Sequence, residues 1–122
     1  KIGSISIKRN KISKDNLGFF GDVLRLINTS NRPLIIFPQG TRLQPEDRTP
    51  FKKGASRIYE ELKISCQPIA INSGFTWPKH GAKKINTTLV VSILRAIEPG
   101  QNKELFLQKL QDAIYTELDL LN

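Results

Sequence analysis

The order of apolar and polar positions predicts alternating strands and helices along most of the chain. Residues 3–7, Gly-Ser-Ile-Ser-Ile, alternate small or polar with apolar side chains and predict a short strand running into Lys8-Arg9. A helix follows, capped by Asp15 or Asn16. Leu17, Phe20, Val23, Leu24 and Ile27 recur on one of its faces, and its end falls near Asn31. Leu34 to Phe37 is an unbroken apolar run closed by Pro38, the pattern of a central strand covered on both faces. Residues 38–53 carry Pro38, Gly40, Pro45 and Pro50 and form a long loop, a length that is usually functional when ordered.

Ala55, Ile58, Tyr59 and Leu62 mark a second amphipathic helix from about Gly54 to Lys63, and Pro68 to Asn72 a short strand. Residues 73–87 make another loop, with Gly74, Phe75, Trp77, Pro78 and Gly81. Thr88 to Ile97 reads as a strand, and Pro99-Gly100 turns the chain. Asn102 can cap a last helix whose apolar face holds Phe106, Leu110, Ala113, Ile114, Leu118 and Leu121. The βαβαβ order predicts a single α/β domain over residues 1–122, with a largely parallel or mixed sheet flanked by helices.

Composition narrows the class. With 122 residues the chain can bury roughly two-thirds of its unfolded surface and needs no disulfide or structural metal to hold a core. Cys66 has no cysteine partner, and one histidine offers no zinc-ligand cluster, which suits a reducing compartment. No apolar run approaches the roughly 18 residues of a membrane span. The chain starts at Lys1 and contains no methionine, so it reads as a piece of a longer protein. The net charge of +8 is concentrated in residues 1–63, with 13 basic and 6 acidic side chains. That half suits phosphate groups, anionic lipid headgroups or nucleic acid.

The chemistry-bearing segment is Phe37-Pro38-Gln39-Gly40-Thr41-Arg42. It puts a glycine, a hydroxyl and a guanidinium just past the carboxyl end of the predicted buried strand, where open α/β sheets bind ligands. Glycine lets backbone N–H groups approach an anion, and arginine can grip phosphate through two parallel hydrogen bonds. The spacing is not that of a Walker loop. Lys52 and Lys53 precede the helix at Gly54, where backbone N–H groups and the helix dipole also favour anions; an exposed basic pair is the alternative. Phe75 and Trp77 suit contact with an acyl chain or a membrane interface, or plain loop packing.

Phe37 to Arg42 resembles the Phe-Pro-Glu-Gly-Thr-Arg motif of the 1-acylglycerol-3-phosphate acyltransferases. Gly3 through Arg9 is similar to the block that precedes it in that family. Pro68-Ile69-Ala70-Ile71 is similar to the later proline block, with Asn72-Ser73-Gly74 and Trp77-Pro78 resembling its continuation in bacterial members. The resemblance implies transfer of an acyl group from a coenzyme A or acyl-carrier-protein thioester to 1-acyl-glycerol-3-phosphate, giving phosphatidic acid without a further cofactor. It implies substrate-binding roles for Arg9, Gln39, Gly40, Thr41 and Arg42; Lys53 joins them by its place at the helix start, and Arg9 with Arg42 is expected to clamp the acceptor phosphate. It also implies work at a membrane surface on the cytoplasmic face. No nucleic-acid partner is expected, because Phe19, Phe20, Phe51 and Tyr59 fall in helix or loop positions rather than alternating along a basic strand.

Two positions depart from the family pattern. Gln39 stands where the family has glutamate, keeping hydrogen-bonding capacity without the charge. The family's His-x-x-x-x-Asp motif, which supplies the base, is not present, since His80 is followed five positions later by Ile85. The resemblance places that motif upstream of Lys1, so catalytic residues are expected outside this chain. The alternative is a non-catalytic basic module that binds lipid phosphate or nucleic acid.

Overall fold

The computed structural model describes residues 17–78 and 80–121. The predicted strand at 3–7, the capping residues Asp15 and Asn16, and Arg9 lie outside the described residues. The chain divides into two compact units, Lys1–Ile36 and Phe37–Asn122.

In the first unit, helix α1 spans Leu17–Ser30. It ends where the periodicity predicts: Asn31 takes φ 53° and donates its backbone N–H to the Ile27 carbonyl at 3.2 Å, closing the helix with a left-handed residue. Val23 is buried and Ile27 half-buried, but Leu24, expected on the same face, is 41% exposed. Leu34 to Phe37 does not form the predicted strand. No described segment pairs with it, and Ile35 and Phe37 are 76% and 77% exposed. An apolar run becomes a strand only when a neighbour supplies the ladder hydrogen bonds.

The second unit is built from α2 (Gly54–Leu62), β1 (Ile69–Ile71), the single-turn α3 (Ser73–Thr76), β2 (Val91–Ile93) and α4 (Lys103–Leu121). Its core joins Phe51, Ala55, Tyr59, Ala70, Phe106, Leu110, Ile114 and Tyr115. The residues come from α2 at four-residue spacing (Ala55, Tyr59) and from α4 at the same spacing (Phe106, Leu110, Ile114), so the two helices pack apolar stripe to stripe. The Tyr59 and Phe106 rings stack at a centroid distance of 3.8 Å, and Phe51 meets Tyr115 edge to face at 5.0 Å. Asn102 caps α4 as predicted, its Oδ1 accepting the backbone N–H groups of Glu104 (2.9 Å) and Leu105 (3.2 Å). At the end of α2, Lys63 adopts φ 53° and donates its backbone N–H to the Tyr59 carbonyl.

Among the described residues the sheet is neither parallel nor mixed. It consists of β1 and β2, paired antiparallel with Ile69 opposite Ile93, Ala70 opposite Ser92 and Ile71 opposite Val91. A parallel return requires a crossover that lays a helix over the sheet. Here the connection contains only the one-turn α3, and its two ends are tied together by Asn72, so the chain doubles back. Pairing continues beyond the strands to Cys66 and Ile97. One extra residue between Leu94 and Ile97 shifts the register there, a bulge spanned by the Gln67 side chain donating to the Leu94 carbonyl. Ala70 packs into the core, while Ser92 beside it donates from Oγ to Glu117 of α4 at 2.9 Å. Ile69, Ile71, Val91 and Ile93 project from the opposite face and are exposed.

Candidate functional site

The loop between Phe37 and Lys53 holds the predicted anion-binding residues, and its shape follows from a few backbone contacts. Pro38, with its preset φ, begins a turn that closes with the Gly40 N–H donated to the Phe37 carbonyl at 3.0 Å. Gly40 then takes φ 76°, a left-handed conformation in which a side chain is strained. The chain returns to the same place at Lys52, whose backbone N–H donates to the Pro38 carbonyl at 2.8 Å. A Cβ on Gly40 would lie 3.2 Å from the Lys52 Cγ, so glycine is what allows the Lys52 side chain to lie against the turn.

Around this turn, Gln39 is half-buried, and Gly40, Thr41 and Arg42 are exposed. Among the described residues Arg42 has no hydrogen-bond or ion-pair partner, leaving its guanidinium free to take a planar oxyanion through two parallel bonds. Lys53 occupies the N-cap position of α2. Among the described residues no N-cap side-chain hydrogen bond closes that helix, so its positive dipole end lies beside the basic pair. Lys53 contributes its carbonyl to the helix, accepting from Ser56 Oγ and Arg57 N, while its own side chain is exposed. The geometry therefore brings Gly40 and Lys52 together, with Lys53 one residue further on at the helix start. Arg9 lies outside the described residues. His80 is exposed.

What holds this loop in place was not legible from local sequence. Arg48 bonds to Asp119 near the end of α4 through Nε (3.2 Å) and Nη2 (2.6 Å). Its other terminal nitrogen donates to the carbonyls of Pro45 (2.5 Å) and Asp47 (3.0 Å), and its guanidinium lies 5.2 Å from the centre of the Tyr115 ring. The Tyr115 hydroxyl donates to the Thr49 carbonyl at 2.5 Å, and Gln111 Oε1 accepts the Phe51 N–H at 2.9 Å. One face of α4 thus fastens residues 45–51 from behind and leaves the Gly40–Arg42 side free. The partners are 60 to 71 residues apart in sequence, so no spacing rule could have found them. α3 sits alongside, with the Leu43 carbonyl oxygen 3.7 Å from where a Gly74 Cβ would stand.

A cleft of about 570 Å³ lies between the end of α2 and the start of α4, lined by Tyr59, Lys63, Gln101 and Asn102 among others. It contains no residue of the Phe37–Arg42 turn.

A family model described as Acyltransferase matches residues 1–72, a span that takes in the turn, the returning Lys52 and Lys53, α2 and β1. The chain belongs to the acyltransferase family. Relatives in that family are named 1-acyl-sn-glycerol-3-phosphate acyltransferase. The Helicobacter pylori protein is 36% identical over 91 residues, covering 71% of this chain and 38% of its own length. The Pseudomonas aeruginosa protein is 35% identical over 60 residues, covering 49% and 23%. The Saccharomyces cerevisiae protein is 33% identical over 78 residues, covering 61% and 25%. The chain thus spans well under half the length of these relatives. No solved structure matches it. Among the described residues of this acyltransferase-family chain, no helix is long and apolar enough to cross a membrane.

Proposed function

We propose that this chain forms the acceptor-binding part of an enzyme that acylates 1-acyl-glycerol-3-phosphate to phosphatidic acid at the cytoplasmic face of a membrane. The donor is an acyl thioester of coenzyme A or acyl carrier protein, and no other cofactor takes part. The observation that carries this reading is the exposed Arg42, unpaired among the described residues. It follows the positive-φ Gly40 turn, against which Lys52 is packed, all within the segment matched by the family.

In the reaction, the free hydroxyl of the acceptor attacks the thioester carbonyl carbon, the C–S bond breaks, and the thiol leaves carrying the hydroxyl proton. Charge at the acceptor's phosphate end does not change in this step, so Arg42 acts by binding and orientation. Lys52, Lys53 and the uncapped start of α2 supply further positive potential for the dianionic headgroup. Thr41 and Gln39 add neutral hydrogen-bonding capacity beside it. Arg9 joins Arg42 on the phosphate in this reading. The base that removes the proton is assigned to no residue of this chain.

The reading is tested with Arg42→Ala and Arg42→Lys in the full-length enzyme. Alanine should raise KM for the lysophosphatidic acid acceptor by roughly ten- to a hundred-fold, the worth of a charge-assisted bidentate contact, and leave KM for the thioester unchanged. Lysine should recover only part, because it cannot make the paired bonds. Acceptor kinetics unaffected by both substitutions would refute it.

A further inference from the structure

The loop between β1 and β2 is pinned at its base and apolar and cationic at its tip. Asn72, buried, holds both ends: Oδ1 accepts the Val90 N–H at 2.8 Å and Nδ2 donates to the Thr88 carbonyl at 3.1 Å. A second brace runs from the Lys84 N–H to the Thr76 carbonyl at 2.9 Å. What this frame presents to solvent is unusual for a loop. Trp77 is 61% exposed and Ile85 85%, with Phe75 and Leu89 also exposed. Lys83 Nζ stands 4.2 Å from the centre of the Trp77 ring, and Lys84 Nζ 4.1 Å from that of Phe75. Between Glu61 and Glu98 the sequence contains five lysines or arginines and no acidic residue.

We infer that this loop is a docking surface for an anionic lipid bilayer. Large exposed apolar groups alone would suit many partners; their interleaving with charge of a single sign selects this one. Tryptophan settles at headgroup depth, where its apolar body and N–H are both accommodated. A lysine stacked on an aromatic ring can follow that ring down along its aliphatic stem and keep the ammonium among lipid phosphates. The absence of acids over the whole segment removes the repulsion an anionic leaflet would exert. The two braces mean that little ordering is required on contact. The inference deepens the proposed action at a membrane by assigning a surface to it, one that adjoins the loop carrying Arg42, since Gly74 lies against Leu43.

Trp77 is the chain's single tryptophan and reports directly. Its emission is measured with vesicles of phosphatidylcholine, with and without phosphatidylglycerol, alongside co-sedimentation and quenching by bromine-labelled acyl chains. Anionic vesicles should shift the emission to the blue and allow quenching. Lys83→Gln with Lys84→Gln should weaken partitioning by about twenty-five-fold, at roughly five-fold per lysine. Ile85→Ser should weaken it severalfold without changing the far-ultraviolet circular dichroism. Sedimentation with vesicles while Trp77 stays unshifted and unquenched would overturn this surface yet leave membrane action intact. Failure to sediment at all would likewise overturn this surface. A shift induced by RNA but not by vesicles would also overturn the inference. The Arg42 kinetics stand apart from all of these outcomes.

Discussion

Replacing Asn72 with alanine removes the two side-chain hydrogen bonds that close the β1–β2 loop and leaves the backbone ladder untouched. The two orphaned groups fare differently. Thr88 is exposed, so its carbonyl rehydrates at a cost of about 0.5 kcal/mol, the low end for a lost neutral bond. Val90 is half-buried, and its N–H, bonded at 2.8 Å, loses a better contact with poorer access to water, at about 1.5 kcal/mol. The sum, about 2 kcal/mol, should appear as a lower midpoint in urea at unchanged slope, and as a fall in melting temperature of about 8 °C for a chain of this size. Hydrogen exchange separates this mechanism from general loosening: the Val90 amide should lose protection first. Asn72→Asp keeps the acceptor for Val90 and loses the donor, turning a carboxylate toward the Thr88 carbonyl. It should therefore retain Val90 protection more than alanine does. An alanine variant within about 0.5 kcal/mol of the parent, with Val90 still protected, would refute the role given to Asn72.

Gly40→Ala should destabilise by about 1–2 kcal/mol, the cost of a side chain at φ 76°, and should weaken acceptor binding as the new Cβ displaces Lys52; calorimetry and binding measured together check both. Tyr59→Phe keeps the ring stacked on Phe106 but deprives the Glu98 carbonyl (2.5 Å) and the Gln101 N–H (3.0 Å) of the hydroxyl, and should cost about 1–2 kcal/mol in urea unfolding. A double-mutant cycle on Arg48→Ala and Asp119→Ala should give a coupling of only about 0.5–1 kcal/mol, because Asp119 is largely exposed, while Arg48→Ala alone also raises KM for the acceptor by loosening residues 45–51. Burial pushes the Cys66 thiol above its ordinary 9.0, so the folded state holds its proton where the unfolded chain has lost it. Stability should be full below that pH and fall as pH rises beyond it, and Cys66→Ser should flatten that part of the curve.

The helices were the most legible part of this protein. The apolar faces of α2 and α4, the Asn102 cap, and the end of α1 at Asn31 all depend on groups within one helical turn of each other, and sequence spacing encodes such contacts directly. The Phe37–Gly40 turn and the family's motif around Arg42 were legible for the same reason, since four consecutive residues suffice to make the turn. The strands were not. The short apolar segment Pro68 to Asn72 announced a strand but carried no information on its partner or direction, and Leu34 to Phe37, which pairs with no described segment, shows that an apolar run does not make a strand by itself. The site divided along the same line. Sequence alone named Arg42 and the basic pair before α2, whereas only the tertiary structure set Lys52 against Gly40 and fastened the loop to α4 through Arg48, Gln111 and Tyr115. Helix and turn hydrogen bonds join near neighbours, while ladders and clamps join residues tens of positions apart, and the partner in each such pair is chosen by packing.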